Sequence, residues 1–439
     1  MIRYSDALQR SLARLDALTN WEQRARGEMH VGLEPIRDLA SRLGNPHLDF
    51  RAVHVTGTKG KGSVCALVEA ALCKAGISVG RYASPHLQRV NERISLSQKP
   101  ISDRKLSELL ASTLDVYEQA KLDESPARDA TWFDIFTACA FLAFKESAVT
   151  WAIVEVGLGG TNDSTNIING DIAVVTNVEL EHTEVLGTTR SAIAKEKSGI
   201  LKAGAQLVTT LSPEDEAGEV LRHRASSLGC SVEWVNPFPT ERIEELNTRV
   251  AGTVLDCLGA SKRQKFGMSE ASHSGLAGAW LLDDAVRASA RLPGRLERFN
   301  VCNADGKTLT VVMDGAHVPF NLEAVLAELS DDVDLSGPCV AVLGTNSDKD
   351  ATGLITVLAR HVVSIVLTEL PGLSRSMRCA QLKEITDSMN LTSETASTVA
   401  LAVDRAIQLA SKRSGWVLIT GSLQLAGASR SLELFSNPY

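Results

Sequence analysis

The run Ala52-Val53-His54-Val55-Thr56-Gly57-Thr58-Lys59-Gly60-Lys61-Gly62-Ser63 passes from a β-branched apolar stretch into a glycine-rich turn. Val64, Leu67, Val68, Ala71 and Leu72 follow at helical spacing, so the stretch reads as strand, loop and helix. That order is the context a phosphate cradle requires. The glycines Gly57, Gly60 and Gly62, with Thr58, let backbone N–H groups converge on phosphate oxygens, and the helix N-terminus adds positive potential. Lys61 supplies a mobile charge and Ser63 a hydroxyl suited to Mg²⁺. The spacing departs from a strict Walker loop because Gly62 stands between Lys61 and Ser63.

Further short β-branched runs ending in glycine or polar turns lie at 151–156, 172–177 and 206–210, separated by helical stretches. This rhythm predicts a doubly wound, mostly parallel α/β domain of the phosphate-loop type. It restarts at 308–313, 340–343, 363–368 and 416–420, which predicts a smaller, Rossmann-like α/β domain. The junction falls at Leu292-Pro293-Gly294-Arg295, where Pro and Gly together interrupt regular structure. The expected domains are therefore 1–294 and 295–439. Residues 211–291, with a polar patch at 268–274, read as loops and peripheral helices, and residues 1–26 as a first helix.

At 439 residues the chain exceeds the length at which a single core usually stops growing. A formal charge of −8 leaves no overall footprint for a polyanion, so nucleic acid is not an expected partner. The eight cysteines are scattered without a CxxC pair, which predicts reduced thiols rather than a zinc site. No run approaches the roughly 18 to 20 apolar residues needed to cross a bilayer. A soluble monomer of the cytoplasm is expected, or of an organelle if a transit peptide has been removed.

The phosphate loop resembles that of the folylpolyglutamate synthase and dihydrofolate synthase family, a branch of the Mur ligases. Further segments match in the family's order: Tyr82-Ala83-Ser84-Pro85-His86-Leu87 with Asn91-Glu92-Arg93, and Glu155-Val156-Gly157-Leu158-Gly159-Gly160 leading to Asp163-Ser164-Thr165-Asn166. Glu181-His182-Thr183, Lys195-Glu196-Lys197-Ser198-Gly199, Leu292-Pro293-Gly294-Arg295, Asp314-Gly315-Ala316-His317 and Thr420-Gly421-Ser422 complete the set. Several spaced motifs in one order are far more specific than any one alone.

Glu155 also has a reading of its own, as a carboxylate at the end of an apolar strand, where open α/β sheets place ligands. The resemblance implies that Ser84, Glu155 and His182 hold Mg²⁺ with ATP oxygens, alongside Ser63. It implies that Lys197 is carbamylated and helps bind a second Mg²⁺, which a protonated lysine cannot do; a need for K⁺ is left open. Lys61, His182 and Lys197 are the expected catalytic residues. The likeness assigns Asn166, Arg295, Asp314 and His317 to the nucleotide. It assigns Trp132, Phe133, Asp134 and Asp163 to the acceptor, with Asp134 pairing with a pterin edge and an aromatic ring stacking on it.

The implied reaction is ATP-dependent amide formation through an acyl phosphate, releasing ADP, with L-glutamate as the amine. Dihydropteroate is the favoured acceptor, and polyglutamylation of folates an alternative or second activity. A cell-wall Mur ligase is disfavoured because no nucleotide-sugar domain precedes Gly57. A non-catalytic nucleotide-binding regulator is disfavoured by intact Lys61, Ser63, Glu155, His182 and Lys197. Three departures from the family pattern, at four positions, stand out: Lys59 for the usual Asn, Thr161-Asn162 for Arg-Leu, and Val318 for Asn.

Overall fold

The strand that leads into the glycine-rich turn is the inner member of a large sheet. The computed structural model describes residues 4–22, 32–266, 278–302, 306–372 and 375–435. The chain divides into two compact units, Arg3–Arg291 and Leu292–Tyr439.

In the first unit the strands are β1 (Arg51–Thr56), β2 (Val79–Tyr82), β3 (Ile94–Leu96), β4 (Lys99–Pro100), β5 (Trp151–Glu155), β6 (Gly170–Val175), β7 (Gln206–Thr209) and β8 (Ser231–Trp234). Their order in the sheet is β4-β3-β2-β5-β1-β6-β7-β8. β2, β5, β1, β6, β7 and β8 pair in parallel, and β3 runs antiparallel to both its neighbours, β2 and β4. β1 and β5 are buried almost throughout, as a parallel sheet covered on both faces demands. One cluster packs helices Asp103–Leu122 and Trp132–Glu146 against Ala52 and Val154. Another packs helices Arg190–Ser198 and Glu216–Ser227 against Ala173 and Leu207. The carboxyl ends of β5, β1 and β6 lie side by side, so the loops that follow them open on one crevice, the usual ligand position in such sheets.

The second unit carries β9 (Glu297–Cys302), β10 (Thr308–Met313), β11 (Cys339–Leu343), β12 (Val362–Thr368), β13 (Ser393–Ala396) and β14 (Trp416–Thr420) in the order β13-β12-β11-β14-β10-β9. All pairs are parallel except β9 with β10.

The two-domain α/β class matches the expectation, with strand positions within about two residues. Residues 211–291 are more regular than expected: they contain helix Glu216–Ser227, the edge strand β8 and the 24-residue helix Ile243–Phe266, which packs on helix Lys61–Lys74. The polar patch at 268–274 lies outside the described residues. The first helix ends at Asp16 rather than near 26.

Candidate active site

Gly57 takes φ +142°, and a Cβ there would stand 1.9 Å from Thr176 Oγ1, so the turn closes against the residue that follows β6 only with glycine. Gly60, at φ +79°, caps helix Lys61–Lys74. The first backbone bond of that helix runs from Val64 N–H to Gly60 O at 2.9 Å, which leaves the N–H groups of Lys61, Gly62 and Ser63 ahead of the ladder. These three donors and the helix dipole suit an anion. Thr58 does not join them. Its N–H and that of Lys59 donate to Asn177 Oδ1 at 3.0 and 2.8 Å, so Thr58 shapes the loop from behind. Lys61 Nζ donates to Gly57 O at 2.9 Å, folded back over its own loop.

Lys61 lines a pocket with Thr56, Gly57, the Val156–Gly159 segment, Glu181, His182 and Lys197. Three residues singled out from far-apart motifs thus meet. His182 adopts a left-handed backbone (φ 52°, ψ 42°), rare for a residue with a Cβ, and its Nε2 lies 3.2 Å from Glu181 Oε1. Lys197 is 4% exposed near the end of helix Arg190–Ser198. Burial, and next the charge of Lys61, push its ammonium down to about 7, with Glu181 opposing them. Gly160 permits this approach, since a Cβ there would meet the Glu196 and Lys197 carbonyls at 2.7 and 2.9 Å. Ser84 and Glu155 meet at the end of β5, where Glu155 Oε2 accepts the Ser84 N–H at 3.2 Å. Glu155 pairs in register with Val55, two residues before Gly57.

The expected acceptor residues are disposed differently. Asp134 is 6% exposed. Its Oδ2 accepts the N–H and hydroxyl of Thr131, both at 2.8 Å, and its Oδ1 accepts the Ser164 hydroxyl at 2.6 Å. It closes a capping box at the start of helix Trp132–Glu146 and does not offer its edge to a ligand. Trp132 is a core aromatic, stacked on Phe136 at 5.0 Å with its Nε1 donating to Asp16. Phe133 is half-buried, and its ring tip sits beside Gly157 on the pocket wall. Asp163 Oδ2 accepts the Leu158 N–H at 2.9 Å, which ties that same wall down. Asn166 is turned inward too: it donates to Thr161 O and Gly199 O and accepts from Lys202 Nζ, so it braces the lysine helix rather than reaching the loop's N–H donors.

Asp134→Ala is therefore expected to lower stability by about 2 kcal/mol, through the lost cap and an unpaired Ser164 hydroxyl, and to leave the acceptor KM of the folded enzyme unchanged. Thermal melts with acceptor titrations check this. A selective rise in acceptor KM at unchanged melting temperature would restore the direct-contact reading.

Residues 55–241 match the Mur ligase middle domain, and residues 294–423 the Mur ligase glutamate ligase domain. The chain is 31% identical over 434 residues to the dihydrofolate synthase/folylpolyglutamate synthase of Bacillus subtilis, covering 90% of this chain and 94% of that protein. The chain belongs to the folylpolyglutamate synthase/dihydrofolate synthase family. Its fold superposes on the Mycobacterium tuberculosis folylpolyglutamate synthase complexed with ADP and AMPPCP (TM-score 0.79, 28% identity, 99% of both chains). It also superposes on a bifunctional folylpolyglutamate synthase/dihydrofolate synthase with Mn, AMPPNP and L-glutamate bound (TM-score 0.75, 27% identity, 97% of this chain and 98% of that one). As a member of the folylpolyglutamate synthase/dihydrofolate synthase family the chain is an ADP-forming carboxylate–amine ligase.

Two site residues of this ligase escaped the sequence reading, Asn177 behind the phosphate loop and Glu181 beside His182. Both lie in the polar segment after β6, where only the folded loop gives them partners. The departures from the family pattern now have surroundings: the Thr161 hydroxyl donates to Glu196 O, and Val318 leaves helix Pro319–Ser330 without a side-chain cap. In the second unit Asp314 is buried and accepts the N–H groups of Leu296 and Ala316. His317 Nδ1 lies 3.0 Å from Gly315 O, and Arg295 is exposed. Through the bonds to Leu296 and Ala316, Asp314 anchors a local turn.

Proposed function

We propose that this ligase joins L-glutamate to 7,8-dihydropteroate, with polyglutamylation of folates as a second activity. The observation that carries this reading is the meeting of Lys61, His182 and Lys197 in one pocket, with Phe133 and Asp163 packed against Gly157 of its wall. The relative in Bacillus subtilis bears both activities in its name. The pterin ring is taken by Phe133 alone of the two expected aromatics, and Asp163 replaces Asp134 as the acid nearest to it.

The acceptor carboxylate attacks the γ-phosphorus of ATP and ADP departs, leaving an acyl phosphate. The amine of glutamate then adds to the acyl carbon, phosphate leaves, and the nitrogen loses a proton. The Lys61, Gly62 and Ser63 N–H groups hold the phosphates, and Lys61 Nζ swings from Gly57 O to the transferring group as its charge spreads. The donor set fits a hard divalent cation. Glu155, Ser84, Ser63 and His182 offer oxygens and one nitrogen around the strand ends, and Glu155 is already drawn to Ser84. Bound there, Mg²⁺ neutralises phosphate charge. Because the Lys197 ammonium is pushed down to about 7, much of it is the free amine at neutral pH. That amine adds to CO₂ and loses a proton, giving an anionic carbamate able to hold a second ion. Arg295, Asp314 and His317 keep their assignment to the nucleotide on family likeness alone, and Asp314 holds its own turn through the Leu296 and Ala316 N–H groups.

The test is ADP release by purified enzyme with Mg²⁺, ATP and L-glutamate, comparing 7,8-dihydropteroate with tetrahydrofolate and identifying products by mass. Turnover with both supports the proposal. Turnover with tetrahydrofolate alone removes the dihydropteroate reading, and ADP release independent of any pterin removes both.

A further inference from the structure

His54 is an unusual residue to find inside a phosphate-loop strand. It is 0% exposed on β1, three residues before Gly57, and it does not line the pocket. Its Nε2 lies 2.9 Å from Thr165 Oγ1, and its Nδ1 is buried without a hydrogen-bond partner. Thr165, also 0% exposed, bonds through its hydroxyl and its N–H to Asp163 Oδ1. The remaining Asp163 oxygen takes the Leu158 N–H and would lie 3.1 Å from a Cβ on Gly157, beside the tip of Phe133.

The direction of this chain follows from counting protons. Asp163 accepts two backbone N–H groups, so the Thr165 hydroxyl gives its single proton to the carboxylate. The hydroxyl oxygen then needs a donor, and His54 Nε2–H is the group in place. His54 is thereby fixed as the Nε2–H tautomer, and the bare Nδ1 lone pair is the unpartnered atom. Leaving that acceptor buried costs stability, which favours a role for the ring beyond packing.

We propose that His54, acting through Thr165, is a positioning residue that holds the Asp163 carboxylate at the Phe133 face of the acceptor site. The inference rests on the assignment of Asp163 and Phe133 to the acceptor. It makes the strand that delivers the phosphate loop also set the geometry of the pterin side, so the two substrates are registered by one element. Burial already raises the Asp163 carboxyl to about 6, against the Thr165 hydroxyl and the two N–H donors that lower it. Asp134 from helix Trp132–Glu146 raises it further, the Tyr82 hydroxyl from β2 feels its charge, and neutral His54 on β1 is joined to it only through the Thr165 hydroxyl. Loss of the hydroxyl removes a bond to the charged form and moves the carboxyl upward.

Steady-state kinetics of wild type, Thr165→Val, Thr165→Ser, His54→Leu and His54→Gln test this, with KM and kcat for acceptor and for ATP measured across the acid limb. Wild type is assayed first with dihydropteroate and with tetrahydrofolate, and variants are compared on the acceptor wild type turns over. A failed substrate assignment thus appears in wild type alone. Thr165→Val and His54→Leu are expected to raise acceptor KM about tenfold, with ATP KM unchanged. The acid limb of kcat/KM for the acceptor should move up by about one pH unit. The double variant should be no worse than the poorer single one, because both cut one chain, and Thr165→Ser should restore acceptor KM. If Thr165→Val folds poorly, Thr165→Ser against His54→Gln carries the comparison. Unchanged acceptor KM, or equal rises for acceptor and ATP without a shifted acid limb, would overturn the proposal.

Discussion

Lys197→Met is expected to abolish turnover while making the ligand-free protein more resistant to unfolding. The side chain is enclosed near the end of helix Arg190–Ser198 and is repelled by Lys61, and its ammonium is held near 7 against 10.5 for a free lysine. Between those values the unfolded chain carries one proton more than the folded one. Folding stability must therefore rise with pH through that window. Below the lower value both states are protonated and the full penalty stands, which for a shift of this size is on the order of a few kcal/mol. Methionine has similar length, fills the space and carries no charge. In CO₂-free buffer the variant should melt above wild type at about pH 6, and the gap should close as pH rises toward about 10. Its ligase activity should fall by about 10³-fold or more, and supplying bicarbonate should raise the activity of wild type only. A variant that melts below wild type at every pH would mean that the lysine is paired within the fold and is not a latent amine. Retained activity would remove Lys197 from the chemistry.

The contrast between that residue and its neighbours explains what the sequence could and could not disclose. Strands β1, β5, β6 and β7 are legible because burial on both faces forces unbroken apolar runs. β2, β3, β4, β8 and β9 are short or lie at the edges, and β8, as Ser231–Trp234, has no buried residue to mark it. Lys61 and Lys197 are legible through motifs, yet only the fold shows them facing one pocket. Asp134 was misleading for a local reason: Thr131 and Asp134 have capping-box spacing, and the carboxylate is used on the backbone before any ligand can claim it. Asn166 likewise is spent on other pieces of chain, whereas among the described residues Asp163 Oδ2 accepts only the Leu158 N–H beside Phe133. Such partners are distant in sequence, Ser164 with Asp134 and Thr165 with His54, and no periodicity reports them.

Lys61→Met should separate binding of the nucleotide from its chemistry. The three N–H groups that open helix Lys61–Lys74 belong to the backbone, and the positive φ of Gly57 and Gly60 that aims them is set by glycine, with the Lys61 Nζ bond to Gly57 O the one loop contact the variant removes. ADP affinity is therefore expected to weaken by less than about tenfold, as one mobile, partly hydrated charge among several donors is removed. The transferring phosphoryl group is another matter, because charge on its outer oxygens shifts as the bond to ADP loosens and Nζ is placed to follow it from Gly57 O. A fall in kcat of about 10³-fold is expected, read by single-turnover ADP release beside calorimetric ADP binding. Lys61→Arg should not restore it, since a planar fork delivers its charge at a different point from an ammonium. Should ADP affinity collapse in step with kcat, Lys61 would be a ground-state anchor and the backbone donors insufficient to hold the phosphates. Should both survive, the charge that drives transfer would have to come from elsewhere in the pocket, with His182 the next side chain to replace.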